Sequence, residues 1–122
     1  TNRMSNEQFD MIMKRLDYIE FRQELLFSNS DLDRSIFEYE ITREQYRAIM
    51  DVMDEYRALI KGGKDYSHYG FESKLYAIVP KHDGDYHMCE ELAKGFMDDG
   101  RWEEVFMALY GDMPKYSYLK KE

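Results

Sequence analysis

Along the first quarter of the chain, Phe9, Ile12, Leu16, Ile19, Gln23 and Leu26 recur at spacings of 3, 4, 3, 4 and 3. That spacing is a heptad seam on one helix, with Phe9, Leu16 and Gln23 at position a and Ile12, Ile19 and Leu26 at d. Met13 and Phe27 fall at e and widen the apolar face. The pattern predicts a helix from about Ser5 to Phe27, capped by Ser5 or Asn6. Ser28 to Asp31 is a polar break, and a short helix is expected from Leu32 to Tyr39.

Further on, Thr42-Arg43-Glu44-Gln45 has the form of a capping box, in which the cap hydroxyl and the Gln45 amide satisfy each other's backbone N–H groups. It predicts a helix to about Ile60, with Tyr46, Ile49, Met50, Met53 and Ile60 on one stripe and Gly62 and Gly63 ending it. Lys64 to Tyr69 reads as a loop. Phe71, Leu75 and Ile78 mark a shorter helix stopped by Pro80, and Lys81 to Gly84 reads as a second loop. Asp85 caps the next helix, which carries Cys89, Leu92, Ala93 and Phe96. Gly100 breaks it, and Trp102, Val105, Phe106 and Leu109 form the last stripe. Two like stripes around one glycine turn predict an antiparallel helical hairpin. Period-2 alternation is absent, so the expected fold is all-α: one domain over 1–122, with an oligomerisation helix at 5–28, a compact multi-helix bundle at 30–113 and a frayed tail at 114–122.

The seam is expected to bury itself against copies of itself, as heptad seams usually do. Leu at a beside Ile at d shifts parallel coils from dimers toward trimers or tetramers. Gln23 at a supplies a polar layer, and Arg15 at g can pair with Glu20 at e of a parallel neighbour. The competing expectation is that the same stripe packs inside the subunit against the helices from Thr42 onward.

Charge narrows the partners. The 122 residues carry 25 acidic and 17 basic side chains, for a net charge of -8. Phosphate backbones and anionic lipid need a basic footprint, so direct nucleic-acid or membrane binding is not expected. An acidic surface leaves open docking to a basic protein, or mimicry of a polyanion that inhibits a nucleic-acid-binding protein. Cys89 is the only cysteine, which excludes an internal disulfide and points to a reducing, cytoplasmic setting. No apolar run is long enough to span a bilayer.

Candidate chemistry is sparse. His82, His87 and Cys89, with His68 apart, are the nearest approach to a metal cluster, but His87 and Cys89 lie two apart on a helix and point to different faces. No metal or other cofactor is expected. The acids Asp51, Asp54 and Glu55, then Asp98 and Asp99, then Glu103 and Glu104, read as solvated helix faces rather than converging acid–base pairs. Cys89 lies on an apolar stripe and reads as a small hydrophobe. No catalytic residue is assigned. Tyr66, His68, Tyr69 and Tyr76 form an aromatic group suited to partner contact, since such side chains combine apolar area with polar tips. The leading expectation is a non-enzymatic oligomeric interaction module. A site between helices for a small ligand or a reaction is a further alternative.

Leu16-Asp17-Tyr18 within the heptad is joined by Ile41-Thr42-Arg43-Glu44 leading to Ala48, Met50 and Asp54-Glu55. Phe71 with Lys74-Leu75 and Ala77, then His87, then Gly100 followed by Trp102-Glu103-Glu104-Val105-Phe106 complete the set. In these features, from about Asn6 to Met113, the chain resembles the YhaI-like family of small helical proteins from Firmicutes. The resemblance implies an all-helical, oligomeric, cytosolic protein and brings no activity, cofactor or catalytic residue with it.

Overall fold

The computed structural model describes residues 3–120. Among these, every regular element is helical: α1 (Asn6–Ser28), α2 (Asp31–Glu38), α3 (Arg43–Lys61), α4 (His68–Ile78), α5 (Tyr86–Asp98) and α6 (Glu103–Tyr110), with 3-10 segments at Pro80–His82 and Pro114–Lys120. None of these helices is long and apolar enough to cross a membrane.

Local cap chemistry sets most of the boundaries. Ser5 and Gln8 form a reciprocal capping box at α1, and Thr42 and Gln45 form another at α3. Asn29 ends α1 in the left-handed region, which asparagine tolerates well. At the end of α3 the left-handed residue is Gly63 (φ 66°), not Gly62 (φ −86°). Asp85 caps α5 by accepting from the Met88 N–H. Two boundaries differ from expectation. The Ser67 hydroxyl accepts from the Gly70 N–H, so α4 opens at His68 and takes His68 and Tyr69 out of the expected loop. Pro80, which stops α4, opens a 3-10 turn because its fixed φ suits a first helical position.

α5 is the centre of the bundle. It packs on α2, α4 and α6, while α3 lies against α4 and α6. Ile36, Ile49, Met53, Phe71, Leu75, Met88, Leu92, Phe96, Val105 and Phe106 are fully buried in one contiguous core. The α5–α6 hairpin forms as expected, turning on Gly100 (φ 78°). Its less expected feature is Trp102, which takes a left-handed φ of 52° without being glycine. Its indole N–H donates to Asp54 Oδ1 at 2.9 Å, and its ring meets Phe96 edge-on at 5.1 Å, so packing holds the backbone there.

The expected frayed tail is corrected over 114–120. Tyr116 packs edge-on against Phe106 at 5.0 Å, its hydroxyl donates to Glu90, and Lys115 Nζ lies 2.5 Å from the same carboxylate. Residues 121–122 lie outside the described residues.

Candidate self-association surface

α1 has two working faces. Tyr18, Phe21 and Leu25 form a second stripe at positions c and f, turned away from the a/d seam, and this stripe docks on the body. Phe21 and Leu25 are each only 4% exposed. Polar contacts flank them. The Arg22 guanidinium lies 3.7 Å from the Phe37 ring centroid and donates to the Phe37 carbonyl at 3.0 Å. Arg43 donates to Asp17 at 3.1 Å and, through both terminal nitrogens, to the two oxygens of Glu24 at 3.1 Å. That fork-to-carboxylate geometry lowers the Glu24 carboxyl below its usual range.

The seam is left free. Phe9, Ile12, Leu16, Ile19 and Leu26 are 44–55% exposed, and Gln23 is exposed beside them. The expectation that this stripe packs inside the subunit is therefore overturned, because the body takes the b, c and f positions, with Arg22 at g, instead. Apolar surface continues onto the e flank through Met13 and Phe27 (93% exposed), whereas the g flank carries Gln8, Arg15 and Arg22; Met11 is exposed at c, and Met4 just before the helix. Residues up to Leu16 have no buried face, so the amino-terminal half of α1 projects from the bundle. Arg15 and Glu20 are both exposed, and neither has an ion-pair partner among the described residues.

The aromatic group divides. Tyr66 and Tyr69 are exposed, Tyr69 at 72%, and the half-buried His68 ring lies 4.1 Å from that of Tyr69. Tyr66 and His68 border a shallow groove with Leu109, Met113 and Pro114. Tyr76 lies elsewhere, half-buried against the Cys89 thiol, and does not share this surface.

The remaining candidates are occupied structurally. Cys89 is fully buried, and burial pushes its thiol up to about 12. His82 Nε2 sits 2.7 Å from the Tyr39 carbonyl, its ring edge-on to that tyrosine. Among the described residues no group of three His, Cys, Asp or Glu side chains is arranged to hold a metal ion. The acid runs are exposed as expected, with Asp54 bonded to Trp102, Glu55 to Lys74, Glu104 to Arg57, Asp98 to Lys94 and Asp99 to Arg101. Two carboxylates are buried without any signal in the sequence pattern. Glu72 accepts from the Tyr110 hydroxyl at 2.7 Å, and Glu90 is held by Tyr116 and Lys115. Glu90 also edges a cleft of about 300 Å³ between α2 and α5, beside Glu91, Asp31 and Asp98. Each of these acids already has a partner, Glu91 in Ser35 and Tyr39 and Asp31 in Arg34.

Comparison of the chain with family models, with curated proteins and with solved structures gives no match.

Proposed function

We propose that this protein is a non-enzymatic interaction module that assembles with copies of itself through the seam of α1. One observation carries the reading. A heptad stripe of large apolar residues stays about half exposed while the opposite face of the same helix is anchored to the body. Exposed apolar area of this extent is costly in water and marks a contact surface. A second copy is the occupant that fits, because a heptad seam is complementary to itself and because Arg15 and Glu20, the flanking charges with no ion-pair partner among the described residues, complement each other between copies. The apolar e flank of Met13 and Phe27 favours three or four helices over two. On this reading the Tyr66, His68 and Tyr69 surface is where each copy would meet a further protein, one of basic character given the net charge of -8. Membership of the YhaI-like family and a cytoplasmic setting, the latter resting on the single buried thiol, belong to the same proposal.

Light scattering at micromolar concentration tests it. The wild type is expected at three or four times the mass of one chain, and Leu16→Asp or Ile19→Asp at the mass of one. A monomeric wild type would end the reading.

A further inference from the structure

We infer that the copies run parallel and in register, so that the Gln23 side chains meet one another on the axis of the bundle. This rests on the self-association reading and adds its direction. An antiparallel pair that keeps all six seam positions in contact must set each a against a d. Phe9 then faces Leu26, Leu16 faces Ile19, and Gln23 faces Ile12 of the other copy, twice. Each Gln23 amide would be buried against an isoleucine with no partner, which a polar group in an apolar layer does not tolerate well. In the parallel register Gln23 meets Gln23, and an amide is both donor and acceptor, so the layer satisfies itself.

The flanks give the same direction independently. In the parallel arrangement g of one copy lies beside e of the next, five residues further on, so Arg15 meets Glu20. In the antiparallel arrangement g meets g, and Arg15 approaches Arg22, a like charge already committed to Phe37. The body holds b, c and f and reaches the g flank only at Arg22, so the a and d positions stay free for either arrangement. The parallel one gathers the bodies at one end, and with them every copy's Tyr66–Tyr69 surface. A weak contact there would then act several times over.

Disulfide trapping reads the direction. Ile12→Cys and Gln23→Cys variants are prepared in the otherwise intact chain, since Cys89 is buried and does not compete. Each is oxidised alone and in an equal mixture, with light scattering on the same samples. Most of the Ile12→Cys chain and most of the Gln23→Cys chain should become covalent dimers when oxidised alone, with no product joining position 12 to position 23. A 12-to-23 product in the mixture, with neither variant linking to itself, would overturn the parallel register while leaving self-association standing. Monomeric samples would remove both.

Discussion

Two positions show how single residues set the tolerances of this bundle. Gly95 faces α2, and a Cβ built there would lie 3.1 Å from Leu32 Cδ1 and 3.2 Å from the Leu32 Cα. The second of these is backbone, so α2 and α5 approach as closely as they do because residue 95 has no side chain. Gly95→Val should lower stability by about 2 kcal/mol through overpacking, read as a lower urea midpoint. Cys89 sets a different tolerance. Its thiol is raised from 9.0 to about 12, chiefly by burial, and burial also raises the phenols of Tyr76, Tyr110 and Tyr116. In each case the folded state holds a proton that the unfolded chain releases earlier. The stabilisation from Cys89 is therefore fully present below pH 9 and declines as pH climbs toward 12, by at most about 1.4 kcal/mol per pH unit. Urea midpoints should fall between pH 8 and pH 10.5, and Cys89→Ala should show a shallower fall. An unchanged midpoint over that range would show that these groups lose their protons without resistance.

At the scale of elements, the division between what was legible in sequence and what was not follows the range of the interactions. Ser5, Thr42 and Asp85 announce helix starts because a cap is made by residues three apart. Ser67 announces nothing of the kind, because a histidine, two aromatic residues and Gly70 follow it and give a loop-like pattern, although its hydroxyl accepts from the Gly70 N–H. The seam was legible as a period, but the docking stripe of Tyr18, Phe21 and Leu25 was not. Two apolar stripes share one helix, and periodicity alone does not say which faces the body. The two faces should separate experimentally: Leu25→Ala should cost about 3 kcal/mol of the subunit's own stability by urea unfolding, whereas Leu16→Asp should leave that stability unchanged while abolishing association. The segment Pro114–Lys120 was illegible because its order depends on partners far back in the chain, Phe106 and Glu90. Tyr116→Phe keeps the ring against Phe106 but takes one hydrogen bond from a buried carboxylate. A loss of about 1–2 kcal/mol is expected, measured against the wild type at pH 7.

At the scale of the whole molecule, the distribution of charge opposes the assembly that the seam favours. Within α1 three basic and five acidic side chains nearly cancel, so six of the eight net negative charges lie elsewhere in the chain. A parallel bundle brings these bodies together at one end. Two charges of −6 held roughly 30 Å apart repel by about 5 kcal/mol in salt-free water. At 10 mM salt, where the screening length is about 30 Å, roughly a third of that remains; at 0.1 M only a few tenths of a kcal/mol does. The Arg15–Glu20 pairs respond in the opposite sense, but exposed ion pairs contribute only about 0.2–1 kcal/mol each and lose part of it on screening. Repulsion between bodies is the larger effect, and the apolar seam itself does not weaken with salt. Association should therefore tighten about tenfold between 10 mM and 0.1 M sodium chloride, read as a fall in the dissociation constant by sedimentation equilibrium. Weakening over the same range would mean that charge pairs, not the apolar stripe, hold the copies together, and that the bodies lie far enough apart not to feel one another.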